Sequence, residues 1–532
     1  MNVEELNKVS LSLSKRAENS DDDHLSRTFV SVGNIPTLLS NTDSAIIFGR
    51  RGTGKTHLLA YINKKFQEDG YVAISIDMRN IGSTGGLYAD NNIPLPERAT
   101  RLLRDTANAI YDKILESYTN PGNQQFGANI VNAIDELFDA ASQVKVEGQI
   151  NNETQTVSTA SEESNSGIEI GVKNQSAQMS LNLGNKESAG QSQSIKQGVS
   201  GRPIARVNFG SLSSAVSKIV ANMPKKRLWL LFDEWSEVPI DLQPYLADMI
   251  RRGFLSVRGV TAKFAAIEHR SSFRKVSDDG LISVGIELGA DVSTSLNLDD
   301  YMVFENDPLA ASDFFSEMLF RHIKASAEND SHDFDIKNRA ELINTMFTQK
   351  DAFDEFVKAA EGVPRDAINI LSKCALKANK DKIGMPTVRD SARNWYMSSK
   401  HNDVSSRESA YKLLQWIIDE IIRDRKARGF LLNVKSRDSL IDFLFDQRVI
   451  HLIKRSISSK EEPGEKYNAF SLDYGCYVEL ISSSAAPRGL FEATEEEANG
   501  NNKFIDVPQT DYRSIRRAVL NLEEFYKIPK LL

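Results

Sequence analysis

The stretch "SAIIFGRRGTGKTHLLAYI", residues 44–62, decides how this chain is read. Ala45, Ile46, Ile47 and Phe48 form an apolar run of strand length, and "THLLAYI" has the apolar spacing of a helix start. Between them Gly49, Arg50, Arg51, Gly52, Thr53, Gly54, Lys55 and Thr56 fit G-x-x-x-x-G-K-[ST]. In that pattern glycines let backbone N–H groups curl round phosphates at a helix N-terminus. Residues 49–56, with His57 next in line, are therefore expected to hold a nucleotide's phosphates. Lys55 would reach the β- and γ-phosphates, and the Thr56 hydroxyl would bind Mg²⁺.

A chain of 532 residues is too long for one core, and three or four domains are expected. The net charge of −8 argues against a wholly basic nucleic-acid coat, though one basic face on one domain remains compatible with it. Cys374 and Cys476 have no Cys or His neighbour at metal-ligand spacing, so buried, reduced thiols are expected. The N-terminus "MNVEELNKVS" is polar and acidic, and no apolar run approaches about 18 residues. Neither secretion nor a membrane span is expected, and the chain reads as cytoplasmic.

Upstream of the octet, residues 1–28 read as a polar tail, and residues 29–39 stand where an adenine pocket could be lined. Downstream, "GYVAISIDMRNIG" (70–82) alternates like a strand, and "RATRLLRDTANAIYDKILESY" has helical spacing. This order favours a parallel sheet covered by helices. Residues 143–201 are crowded with Ser, Asn, Gln and Gly and read as a surface insertion, either flexible or a β-hairpin that touches a partner. "KKRLWLLFDEWSEVP" then delivers Asp233 and Glu234 at the end of an apolar run, a Walker B pattern. Asp233 would hold Mg²⁺ through water while Glu234 polarises the attacking water. "AKFAAIEHRSSFRK" reads as a further strand.

The succession "GRRGTGKT", "LLFDEW", "FAAIEHR" and "EGVPRDAINIL" (361–371) resembles an AAA+ ATPase of the origin-recognition and replication-initiator clade. The resemblance implies an α/β fold, a P-loop AAA+ parallel sheet with a helical lid, followed by a winged-helix-like α+β domain. It implies ATP and Mg²⁺ as ligands, ADP as product, and sensor 2 at Arg365, which would reach the γ-phosphate from the lid. Glu268 and His269 stand where the clade has sensor 1, although the clade usually offers Asn, Thr or Ser there. Arg270 and Arg274 stand in the window of an arginine finger that acts on a neighbouring subunit, so a homo-oligomer is implied. The expected division is a tail (1–28), an α/β core (29–305) holding the insertion, a lid (306–400), a winged-helix-like domain (401–485), and a linker with a closing helix (486–532).

The C-terminal part shows a helix over 407–429, a second helix after a cap-like Ser436, and two β-rich runs, "HLIKRSIS" and "KYNAFSLDYGCYVELI", that read as a wing. Residues 407–460 hold twelve Lys/Arg against seven Asp/Glu. That excess is compatible with phosphate contacts to double-stranded DNA by Arg423, Arg425, Lys426, Arg428, Lys454 and Arg455. Two functional readings stand side by side. One is an ATP-hydrolysing switch coupling nucleotide state to assembly and DNA binding; the other is a nucleotide-bound signalling or antiviral-defence scaffold with slow hydrolysis that regulates a partner effector protein. A P-loop phosphotransferase is disfavoured by Glu234 and the lid arginine.

Overall fold

A computed structural model of the chain describes residues 1–81, 88, 90, 92–119, 126–142, 144–154, 195–205, 207–276, 283–304, 307–329, 334–423, 428–436, 438–458, 464–482, 515 and 518–527. The first residues are not a tail. Helix α1 (Val3–Ser12) is closed by an Asn2–Glu5 capping box, and α2 (Asp22–Thr28) is capped by Asp21. Leu6, Val9 and Leu13 are buried among helices of the lid described below, because α1 is amphipathic and that apolar face needs a partner. The short helix α3 (Ile35–Leu39) follows and leads into β1 (Ala45–Phe48).

Helix α4 (Lys55–Glu68) and strand β2 (Val72–Asp77) come next, then α5 (Leu95–Thr119) and α6 (Ile130–Ser142). Strands β3 (Val144–Thr154) and β4 (Ile195–Ala205) pair antiparallel, Val144 opposite Ala205 and Thr154 opposite Ile195. These are the arms of a hairpin inside the insertion; its alternating stretch at 167–184 lies outside the described residues. Then come α7 (Phe209–Asn222), β5 (Leu228–Asp233), α8 (Gln243–Met249), which continues as a π-turn over Ile250–Leu255, and β6 (Val260–Ala266). A short pair, β7 (Arg274–Val276) with β8 (Ser283–Gly285), precedes β9 (Thr294–Asn297).

The central sheet has the order β2-β5-β6-β1-β9 and every neighbouring pair is parallel. Side chains alternate along β5, so Leu228, Leu230 and Phe232 face the α5 to α8 side while Trp229 and Leu231 face α3 and α4. Both faces are covered, which explains why the strand reads as an unbroken apolar run. Trp229 stacks on Phe66 of α4 with centroids 3.9 Å apart.

The lid consists of α9 (Pro308–Asn329), α10 (Arg339–Met346), α11 (Lys350–Ala360), α12 (Pro364–Ala378) and α13 (Met385–Trp395). A π-turn leads to α14 (His401–Ser405) and α15 (Glu408–Ile417). The expected helix over 407–429 is shorter: it passes into a π-turn ending at Arg423, and Gly429 opens β10 (Gly429–Asn433) instead of closing a helix. Helix α16 (Ser439–Asp446) is capped by Asp438, whose side chain accepts from the Leu440 and Ile441 amides, and not by Ser436.

Strands β11 (Ile450–Ser458) and β12 (Lys466–Leu472) follow, and "DYGCYVELI" departs from the β reading by turning at Asp473 into α17 (Tyr474–Ser482). Asp473 Oδ1 accepts from the Cys476 amide and so starts that helix. The C-terminal sheet is antiparallel in the order β10-β12-β11. Helix α18 (Leu522–Lys527) closes on it through buried Phe525, 5.8 Å from Trp416, and the Leu520 amide donates to Leu431. Both cysteines are buried.

Candidate nucleotide site at the sheet edge

The octet forms a tight loop between β1 and α4. Gly54 caps α4 at φ 94° and Gly52 sits at φ 89°, both in the left-handed region that favours glycine. A Cβ on Gly52 would lie 2.7 Å from Cβ of Arg365, so the lid helix α12 packs directly on the loop. The Arg365 amide donates to the Gly52 carbonyl at 3.2 Å.

Lys55 is buried and donates to the carbonyls of Gly49 (2.7 Å) and Arg50 (3.0 Å). Burial pushes its pKa down, with Glu234 and Asp233 pulling the other way. Asp233 ends β5 and is buried, which raises its pKa, while the Thr56 hydroxyl donates to it. The Glu234 amide donates to Asp233 Oδ1 at 2.8 Å. Glu234 itself stands at φ 52°, ψ 39°, a left-handed conformation unusual for a residue with a side chain. Burial first, then the neighbouring Asp233, raises its pKa.

These residues surround a cavity of about 300 Å³ whose walls include Arg51, Gly52, Gly54, Lys55, Thr56, His57, Glu234 and Arg365. Asp233 and Thr56, already bonded to each other, are the oxygen donors suited to a divalent cation, and the cationic walls suit a phosphate chain. An adjoining apolar recess of about 60 Å³ is lined by Phe29, Val30, Val32, Ile35, Leu58 and Met318 among others. This is the segment whose position suggests an adenine pocket. Phe29 stacks on Tyr61 with centroids 4.2 Å apart.

Several walls are not legible in the sequence. Arg79, just beyond β2, lines the cavity while its guanidinium grips Asp77 (2.7 Å), and Glu237 lines it while paired with Arg51 (2.6 Å). His24 lines the cavity, His322 joins His57 at the wall shared with the recess, and burial holds His322 down at about 3. Lys15 and Arg16 come from the segment read as a tail. None of these stands in a motif; only the dipeptide Lys15-Arg16 offers a local charge signal.

Other expected site residues lie elsewhere. The Arg50 side chain leaves the cavity: it pairs with Asp299 at 2.7 Å and donates to His451 of β11, because its amide and guanidinium are both taken by Asp299 behind the loop. Glu268 accepts from Asn297 and Arg455, and His269 meets Asp442 at 3.2 Å, so neither expected sensor 1 residue lines the cavity. Arg274 pairs with Glu287 at 2.8 Å, and Arg270 faces Asp446. Both are off the chain's own cavity.

Two expected DNA contacts are held by carboxylates of other segments: Arg428 is buried against Glu361 at the end of lid helix α11, and the half-buried Arg455 is shared by Glu268 (2.9 Å) and Asp300 (3.1 Å) of the α/β part. Lys454 is exposed. The side chain of Arg423, together with Arg425 and Lys426, lies outside the described residues.

A parallel sheet with a phosphate-type loop at β1, an acidic pair at the end of β5 and a helical lid packed on the loop defines a P-loop protein of the AAA+ type. The chain belongs to the ORC-CDC6-like family, whose model matches residues 11–345. Among solved structures it is similar to the Aeropyrum pernix ORC1 protein in complex with DNA, at 12% identity over 89% of this chain and 95% of that one, with a TM-score of 0.30. It is also similar to the Thermotoga maritima RuvB Holliday junction branch migration motor, at 10% identity over 72% of each chain, with a TM-score of 0.26. No curated protein matches the chain. Among the described residues no helix is long and apolar enough to cross a membrane.

Proposed function

We propose that the chain is an ATP-binding and ATP-hydrolysing switch that uses Mg²⁺ and couples nucleotide state to the position of its C-terminal domain. The observation that carries this reading is the convergence of Lys55, Thr56, Glu234 and Arg365 on one cavity, with Asp233 bonded to Thr56 at its edge. The same loop reaches the C-terminal sheet from behind through Arg50. Bound Mg²⁺ would supply charge neutralisation of the phosphate oxygens, held by Thr56 and Asp233. Lys55 and Arg365 would bind the β- and γ-phosphates, and Glu234 would orient and accept a proton from the attacking water. The apolar recess at Phe29 would take the adenine. ADP is the product that would remain.

Substituting Lys55 by Ala should abolish ATP binding, and Glu234→Gln should keep binding while stalling turnover. Normal turnover by Glu234→Gln would remove the catalytic assignment. Arg270 and Arg274 lie off the cavity, as residues offered to a second copy must. Turnover per chain that rises with protein concentration supports this homo-oligomer, and a flat rate counts against it. Double-stranded DNA, if bound through the winged-helix-like domain over 401–485, would meet the exposed Lys454, whereas Arg428 and Arg455 would first have to leave their carboxylates. Steep salt dependence of DNA binding tests that part.

A second reading, a nucleotide-held scaffold with slow turnover that regulates a partner effector protein in signalling or antiviral defence, is favoured by one observation. Glu268 and His269 are drawn away from the cavity by Arg455 and Asp442, leaving the water without a sensor 1 contact from them. Slow turnover indifferent to DNA would select this reading.

A further inference from the structure

The segment joining α1 to α2 is anchored on both sides of the cleft. On one side α1 is buried in the lid, where Asn7 Nδ2 donates to the carbonyls of Asn379 (2.9 Å) and Asp381 (3.2 Å). On the other, α2 sits on α4 of the α/β part, where Asp23 pairs with Lys64 and Thr28 Oγ1 is 3.2 Å from His57 Nε2, and it also meets the lid where Arg27 lies 3.7 Å from Glu328 of α9. Between these anchors Ser14, Lys15, Arg16, Ala17 and Ser20 line the cavity.

The segment's charge and its place in the cavity point to the same end of a ligand. Ser14, Lys15, Arg16, Ala17 and Ser20 line the polar cavity with Arg51, Lys55, Arg79 and Glu234, and none of these five lines the apolar recess at Phe29. Six cations, Lys15, Arg16, Arg51, Lys55, Arg79 and Arg365, thus face two carboxylates, Glu234 and Glu237, in the lining of one cavity. Arg79 and Arg51 are held by carboxylates, whereas the exposed side chains of Lys15 and Arg16 make no ion pair with a described residue.

We propose that residues 13–21 form a strap across the polyphosphate end of a bound nucleoside triphosphate, with Lys15 and Arg16 binding its phosphate oxygens. This rests on the nucleotide reading of the cavity. One end of the strap is held by the lid alone, the other by α4 as well as α9, and between them its two cations add positive charge at the phosphate end. The strap therefore favours the more highly charged nucleotide.

The test is calorimetric titration of the full chain with ATP, ADP and adenosine at several salt concentrations, for wild type, Lys15→Ala/Arg16→Ala and Lys55→Ala. Both strap residues are exposed, so folding should be retained, and circular dichroism and melting curves check it. The strap variant should bind ATP about tenfold more weakly, ADP less affected and adenosine unchanged, with a shallower salt dependence. Lys15→Arg/Arg16→Lys should restore affinity. Unchanged ATP affinity in the strap variant, beside a clear loss in Lys55→Ala, would overturn the strap alone. An equal loss for adenosine would also overturn it, placing the effect at the base end. Failure of wild type to bind ATP, or undiminished binding by Lys55→Ala, would instead overturn the nucleotide reading, and the strap with it.

Discussion

Nη1 of Arg50, in the phosphate loop, lies 3.0 Å from Nδ1 of His451, 401 residues further along the chain. His451 Nε2 is 3.2 Å from Asp473 Oδ2, and the Arg50 guanidinium stands 4.5 Å from the centre of the Phe445 ring. A neutral imidazole with Nδ1 accepting and Nε2–H donating satisfies both neighbours at once. The loop and the C-terminal sheet are therefore joined by a bond that requires an uncharged histidine.

Acid should weaken the fold earlier than its carboxylates alone would. Burial first holds His451 and His322 down at about 3, against an ordinary histidine near 6.5. The unfolded chain then binds more protons than the folded one between those values, so stability is complete above about pH 6.5 and is lost as pH falls toward 3. At pH about 5 the loss is about 2 kcal/mol for each histidine. Melting temperatures between about pH 8 and pH 5 should fall accordingly. His451→Gln, which keeps a donor and an acceptor, should flatten the decline; a flat wild-type profile would contradict this account.

Lys400 is the hinge of a second buried cluster. Its Nζ lies 2.8 Å from Asp366 of α12 and 2.5 Å from Asp473, and Arg448 also reaches Asp366 at 3.2 Å. Burial opposes each charge, yet the lysine's pKa is raised by the two carboxylates and Asp366 is lowered by Arg448 and Lys400. Lys400→Met leaves Asp473 and Asp366 undercompensated in the interior and should cost about 3–5 kcal/mol. Denaturant unfolding measures it, and a loss below about 1 kcal/mol would show that water reaches the cluster.

The left-handed backbone at Glu234 should be relieved by glycine. Glu234→Gly is expected to raise stability by about 1 kcal/mol relative to Glu234→Ala, which keeps the strain. Both should lose turnover. Equal stability of the two variants would mean that the φ of 52° carries no cost there.

Gly52→Ala should act on loop and lid together. The new methyl meets Arg365 Cβ and is also forced into φ 89°. A destabilisation of about 1–3 kcal/mol with weakened ATP binding is expected, read by melting and titration. Normal ATP affinity in this variant would show that the lid helix does not need to touch the loop.

The loop, its flanking strand and helix, the acidic end of β5 and the lid helix at Pro364 are all legible in the sequence. Each is a local pattern: hydrophobic period, glycine where φ is positive, or an acid after a buried run. The C-terminal part is half legible. The apolar residues after Leu472 do not distinguish a strand from a helix, and Asp473 decides for the helix by capping it. The polarity of the first residues suggests a tail, but α1 needs only a few apolar side chains, Leu6, Val9 and Leu13, to bind the lid.

By itself the sequence determined the fold class and the loop that meets phosphate, because these depend on neighbours in the chain. Tertiary structure alone decided what each cation faces. Arg50, Arg428 and Arg455 read as ligands for phosphate, yet each sits against a carboxylate from a distant segment, Asp299, Glu361 and Glu268. Lys15 and Arg16, which belong to no motif, stand at the cavity. A charge takes its role from the opposite charge within a few ångströms, and that distance exists only after the chain has folded.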